Sequence, residues 1–327
     1  MKQFLYLPFF MLFLQACSKS HDNKAAGAAD VTNRLNFIID DNRFNFSAFN
    51  AGLSRTSYRL ALAGAGPYTV LLPDNNAFIN AGYANDQAVL TESAALLGNM
   101  IGYHITNGTW ELDKLPFAFN QEIESIGGAK LYVTRWVKNG DTVVTINGAR
   151  VLSYNLQASN GLIQVLNAVL QPLVHQKLTD AIAADPQLTF LNVALERAGM
   201  KGLLAGEQVY TIFAPNNAAF VAAGFTSIDS INGADSAGLR SLLQYTMFPG
   251  RKFVYDYILT TGVTGITQQA MLNGDNITVT LVKSGVDYTG ITVSGVGNAA
   301  GIAIQKANVL AGNGVVHIIN QMVRENQ

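Results

Sequence analysis

The chain of 327 residues predicts an α+β fold built twice in tandem. A ten-residue phrase occurs twice, Thr69–Phe78 as TVLLPDNNAF and Thr211–Phe220 as TIFAPNNAAF, at an offset of 142 residues (211 minus 69). A second pair, NGLIQVLN from Asn160 and NGVVHIIN from Asn313, repeats at an offset of 153 (313 minus 160). Between the blocks of each copy, the apolar pattern changes from helical spacing to strand alternation. Such a period exceeds the roughly 20–50 residues of a solenoid unit and has the size of a domain. The second copy carries 11 extra residues (153 minus 142) between its blocks.

The first element is a leader, residues 1–17. Lys2 gives a positive tip, Phe4–Leu14 an apolar run, and Ala16 a small residue before Cys17. This is the layout of a secretory signal, and the run is too short to span a bilayer. Leu14-Gln15-Ala16-Cys17 resembles the bacterial lipobox, in which the cysteine is acylated and becomes the new N-terminus. Cys17 is the only cysteine, so no disulfide competes for it. The expected partner at this end is the membrane, through the lipid. Residues 18–32 are small and polar and read as a flexible tether. Ser18, rather than an aspartate, follows the cysteine and favours the outer membrane; which face the protein occupies stays open.

The two copies follow, 33–174 and 175–327, joined by a short linker around Pro172–Gln176. Leu188–Met200, Ala94–Tyr103 and Ala237–Tyr245 have helical apolar spacing. Tyr68–Leu72 is a strand stopped by Pro73, and Asp74-Asn75 or Asn216-Asn217 supply N-caps for the helix that ends at Phe78 or Phe220. Lys130–Val137, Thr142–Ile146 and Ile277–Val282 are strands, with turns at Asn147-Gly148 and Asn273-Gly274. Asn160-Gly161 and Asn313-Gly314 introduce the last strands, Leu162–Leu166 and Val315–Ile319.

These two blocks, in order and twice over, resemble those of the fasciclin (FAS1) domain. A Tyr-His pair after an apolar helix is a third family landmark; here it is Tyr103-His104 in the first copy and Tyr245-Thr246 in the second. The resemblance covers residues 33–325. It implies a wedge-like β-sandwich with helices packed at one side. It also implies a binding role in extracellular settings; in some animal members the Tyr-His region contacts cell-surface receptors.

The search for chemistry yields little. His104 faces a threonine in the second copy and His317 faces Gln164 in the first. Neither replacement titrates near neutrality, so neither histidine reads as a shared general base. No nucleophile elbow, zinc motif or phosphate loop occurs. No catalytic, cofactor-binding or metal residue is therefore assigned. Asp40-Asp41 and Asn273–Asn276 read as solvated turns. Trp110, Trp136, Tyr83, Phe117 and Phe119 are candidates for stacking on sugars, Phe117 and Phe119 foremost because they follow Pro116 in a loop. With a net charge of -1 and 13% charged residues, the chain has no attraction to nucleic acid. The expectation is a non-enzymatic, lipid-anchored envelope protein that binds a protein or matrix partner. The candidate contact residues are Tyr103, His104, Phe117 and Phe119. The alternative is a carbohydrate-binding accessory lipoprotein of outer-membrane glycan uptake.

Overall fold

The computed structural model describes residues 31–285 and 287–325. Cys17, the leader and all of the tether but its last two residues lie outside them. Val31–Asn33 forms a single 3-10 turn that leads into the helix Leu35–Asp41.

Among the described residues each copy holds seven strands. In the first they are β1 (Tyr68–Pro73), β2 (Ile105–Asn107), β3 (Ala118–Glu124), β4 (Lys130–Lys138), β5 (Asp141–Ile146), β6 (Ala149–Ala158) and β7 (Gly161–Leu166). They pair in the order β2-β1-β7-β6-β5-β4-β3. The second copy repeats this with β8 (Tyr210–Pro215), β9 (Met247–Pro249), β10 (Ile266–Ala270), β11 (Asn276–Ser284), β12 (Asp287–Ser294), β13 (Ile302–Ala311) and β14 (Gly314–Ile319). The two repeated blocks are the parallel neighbours β1 and β7, or β8 and β14, at the centre of each sheet.

The sheet is continuous but bends sharply. β5 and β6 pair only at Thr145↔Arg150 and Ile146↔Ala149, beside the Asn147-Gly148 turn. Both turn residues have positive φ, 50° and 80°, as a two-residue hairpin turn requires. The two half-sheets therefore face each other. Between them lies one core, built from Leu71, Leu131, Val133, Val144, Ile146 and Leu166. A second core lies between β1, β7 and the helices, and holds Val70, Leu72, Ile163, Phe49, Phe78 and Ile101. Alternation along β1 divides the phrase between the cores: Val70 and Leu72 point one way and Leu71 the other. This is the expected sandwich with helices at one side, and the second copy has the same two cores.

The expected helices form at Ala94–Tyr103, Thr189–Arg197 and Ser236–Gln244. Asp40 and Asp41 depart from expectation. They end the helix Leu35–Asp41, and Asp40 accepts from Arg43 (3.1 Å) and Asn50 (2.9 Å).

The 11 extra residues occupy two places. Tyr103 Oη donates to Lys130 O and Tyr245 Oη to Asn276 O, so Lys130 and Asn276 correspond at an offset of 146 (276 minus 130). Four residues are thus gained before β11 (146 minus 142) and seven after it (153 minus 146). The first gain accompanies the helix Val254–Thr260, where the first copy has only the 3-10 turn Leu112–Lys114. That helix packs on β12 of its own domain and on β4 of the first.

Candidate functional site

The polar residues of the repeated motifs are the natural place to seek a site, and the structure uses them inside the fold. Thr69 Oγ1 donates to Gly108 O (2.8 Å) and accepts from Trp110 N (2.8 Å); Thr211 repeats both bonds with Gly250 and Lys252. Asp74 and Asn216 cap their helices through Ala77 N and Ala219 N. Asn75 accepts from Ala48 N and donates to Phe44 O; Asn217 does the same with Phe190 and Pro186. Asn160 accepts from Leu35 N and donates to the carbonyls of Leu62 and Gly64. Asn313 repeats this with Leu178, Leu204 and Gly206. Each asparagine side chain ties two helical segments to the start of the central strand, satisfying backbone groups that burial would otherwise orphan.

The two buried histidines belong to the same scheme. His104 Nδ1–H donates to Met100 O (2.8 Å) and Nε2 accepts from Leu170 N (2.9 Å). The partners fix the neutral tautomer. Burial holds its pKa down to about 4. His317 Nε2–H donates to Lys252 O (3.0 Å) and Nδ1 accepts from Asn308 N (3.1 Å), and burial again lowers the pKa to about 4. Gln164 makes the equivalent bonds in the first copy. Its Nε2 donates to Trp110 O (2.7 Å) and its Oε1 accepts from Asn155 N (3.0 Å). One donor and one acceptor at matching places let an amide replace an imidazole. Thr246, opposite His104, turns its hydroxyl to Leu243 O instead.

Tyr103 and His104 are both buried, with 3% and 0% of their surface exposed. Tyr103 Oη donates to Lys130 O and accepts from Asn147 Nδ2 (2.8 Å), and burial raises its pKa. The pair links the end of helix Ala94–Tyr103 to the linker side and to the β5–β6 turn. It offers no open face to a partner in this conformation.

Phe117 and Phe119 are not brought together. Phe117 is exposed, with the Arg135 guanidinium 3.8 Å from its ring centroid. Phe119 is half-buried against Trp136, with centroids 4.8 Å apart. Arg135 and Trp136 are consecutive in a regular stretch of β4, so they lie on opposite faces. The two phenylalanines therefore serve two surfaces, not one platform.

The sequence reading missed the junction between the domains. Arg251 Nη1 donates to Ala311 O and Gly314 O, and Nη2 to Gly312 O and to Tyr132 Oη of the first domain. Its guanidinium lies 3.8 Å above the Tyr132 ring. Asn120 Nδ2 reaches Arg251 O (2.8 Å), and Lys138 donates to Thr261 O. Asp256 is buried at this junction. It accepts from Thr134 Oγ1 of the first domain (3.2 Å) and from Phe253 N (2.8 Å), and burial raises its pKa to about 6. The extra residues before β11 were the available signal, because they supply the helix that carries Asp256.

Among the described residues no group of three or more His, Cys, Asp or Glu is placed to hold a metal, and no helix is long and apolar enough to cross a membrane.

The fasciclin-domain family profile matches residues 44–172 and 186–324. The chain belongs to the fasciclin-domain family. It is 24% identical over 265 residues to transforming growth factor-beta-induced protein ig-h3 of Sus scrofa, covering 81% of this chain and 36% of that protein. It is 26% identical over 276 residues to periostin of Homo sapiens, covering 81% and 29%. The chain thus spans about a third of the length of these relatives. Among solved structures it is similar to the FAS1 domain pair of the insect cell adhesion molecule fasciclin I. That likeness has 17% identity and a TM-score of 0.42, and covers 85% of this chain and 96% of the pair.

Proposed function

We propose that the chain is a non-enzymatic binding and adhesion protein, held at the cell envelope by a lipid on Cys17 and engaging its partner through exposed surface of the tandem fasciclin domains. The observation that carries this reading is where the repeated polar residues go. Thr69, Asn75, Asn160, Gln164 and their counterparts, with His104, are bonded to the protein's own backbone. A reacting group must have an open coordination or hydrogen-bond position toward substrate, and Thr69, Asn160, Gln164 and His104 are buried with their bonds spent on the fold. Membership of the fasciclin-domain family, whose resemblance implies a binding role in extracellular settings, supports the same reading.

The test has two arms. Cys17→Ala should move the protein from the membrane fraction to the soluble fraction, or leave its leader uncleaved. Cells carrying Cys17→Ala should lose the attachment that cells with the intact protein show to each other or to a coated surface. Membrane fractionation unchanged by Cys17→Ala rejects the anchor. Attachment that is the same with and without the protein rejects adhesion.

One observation favours the carbohydrate reading as a second possibility. A cleft of about 610 Å³ between the domains is lined by Asn80, Asn167, Gln171, Arg150, Tyr255 and Tyr288 among others. Planar amides, a guanidinium and tyrosines are the groups that hold sugar hydroxyls and ring faces. A glycan array probed with residues 31–327 should then give signals that Arg150→Ala and Tyr255→Ala both remove. An array without signals excludes it.

A further inference from the structure

Three large apolar side chains of the first domain stand in solvent on the three helices that open it. Phe44 is 92% exposed, Leu60 79% and Phe37 45%. Isolated exposed apolar residues are ordinary, but these three lie within three residues of the members of one ionic node. Asp40 binds Arg43 at 3.1 Å and Arg59 at 3.5 Å. Phe44 follows Arg43, Leu60 follows Arg59, and Phe37 lies one helical turn before Asp40. The node joins the ends of three helices, Leu35–Asp41, Arg43–Ser54 and Tyr58–Ala63.

The fold does not require apolar residues at these places, because the second domain is a built-in control. Leu35 and Leu178 bond the matching asparagines, so Phe37 corresponds to Asp180. Asn75 and Asn217 donate to Phe44 O and Pro186 O, so Phe44 corresponds to Pro186. Leu62 and Leu204 accept from Asn160 and Asn313, so Leu60 corresponds to Gly202. The same scaffold thus folds without any of the three side chains. Their presence in the first domain calls for another cause.

We infer that this face of the first domain rests on the lipid surface to which the chain is tethered. Phe44, Phe37 and Leu60 would enter the headgroup region, and Arg43 and Arg59 would meet lipid phosphates. The chain enters the fold beside this face. A hollow of about 660 Å³ lined by Thr32, Asn33, Phe37, Ile38, Asp41 and Asn42 joins the first described residues to Phe37. Only 13 residues (18 to 30) separate Cys17 from Val31. At about 3.3 Å each they reach at most roughly 45 Å. A lipid on Cys17 holds the start of the first domain, and with it this face, within that reach of the bilayer. Arg34, Arg43 and Arg59 outnumber Asp40 and Asp41 there, which suits an anionic surface. Phenylalanine at the polar boundary supplies the apolar contact. The inference rests on the proposed anchor for its geometry, but its test does not need the lipid.

Residues 31–327 contain both sheets and every core cluster described. This fragment is mixed with vesicles of phosphatidylglycerol and phosphatidylethanolamine, and its bound fraction is read by flotation. The wild-type fragment should float. The double variant Phe44→Ser, Leu60→Ser should bind roughly tenfold more weakly with an unchanged melting temperature, since these side chains are 92% and 79% exposed. Arg43→Gln with Arg59→Gln should weaken binding and flatten its dependence on salt. A wild-type fragment that stays off the vesicles overturns the inference and leaves the Cys17 anchor to its own fractionation test. So does a double variant that floats like wild type. Self-association that depends on Phe44 in the absence of vesicle binding overturns it in favour of a contact between two copies.

Discussion

His317→Gln should convert an acid-sensitive second domain into an insensitive one at little cost near neutrality. The first domain already holds the variant: Gln164 donates to Trp110 O and accepts from Asn155 N where His317 uses Lys252 O and Asn308 N. The glutamine should therefore keep both bonds. It loses the ring contact with Phe213, whose centroid lies 5.6 Å from that of His317. Such a contact contributes about 0.5–1.5 kcal/mol. The variant should be about 1 kcal/mol less stable at pH 7.5. On acidification the order reverses. The folded-state pKa of His317 is lowered from 6.5 to about 4, so the unfolded chain takes up a proton that the native state refuses. The stabilisation is present above about pH 6.5 and is lost as the pH falls toward about 4. At 1.36 kcal/mol per pKa unit, the loss approaches about 3 kcal/mol.

Urea unfolding of residues 31–327 at intervals from pH 7.5 to 4 is the assay. The stability curves of wild type and His317→Gln should cross near about pH 6, and the variant should lead by about 2 kcal/mol at pH 4. Asp256 acts in the opposite direction, but it and His104 are common to both proteins, so the difference between the curves isolates His317. Parallel curves would show that His317 is not held neutral by burial. A loss above about 3 kcal/mol at pH 7.5 would show that the amide does not reproduce the imidazole's bonds.

The remaining expectations follow from the same contacts. Gln164→His should install in the first domain the acid sensitivity that His317→Gln removes from the second, read in the same titration. Asn160→Ala orphans Leu35 N–H and two carbonyls, and should cost about 3 kcal/mol or more in urea unfolding. The pKa of Asp256 is raised to about 6, so its stabilisation is complete below about 3.8 and is lost as the pH rises through about 6; Asp256→Asn should flatten the stability curve in that window. Arg251→Ala removes the guanidinium from Tyr132 and from three carbonyls, and should separate a single unfolding transition into two in calorimetry.

Much of the fold was legible because it is written twice and because its signals are local. Asn147-Gly148 supplies the positive φ of a tight hairpin turn, and Asp74 and Asn216 sit where a cap must sit. The roles of Asn160 and Asn313 were only half legible. Their place marked the start of the last strand, while their side chains serve helical segments 98 and 109 residues earlier. No periodicity reports a hydrogen bond across that distance. The junction was illegible for the same reason, since Thr134 and Asp256 are 122 residues apart and each looks ordinary in its own strand or helix.

Comparison of the two copies also separates what the fold needs from what it permits. Where they agree, at Thr69 and Thr211 or Asn160 and Asn313, the side chain closes a buried backbone group. Where they differ inside, as at Gln164 and His317, one bonding pattern is met by two chemistries. Where they differ outside, nothing in the scaffold constrains the choice. Phe44 and Leu60 stand against Pro186 and Gly202 on the helical end of the first domain, and the helix Val254–Thr260 exists only in the second. That helix joins the domains, because its buried Asp256 accepts from the Thr134 hydroxyl of the first. The asymmetry gives a direction to a repeated fold: the second domain is held against the first by a junction of buried polar bonds to which its own added helix contributes.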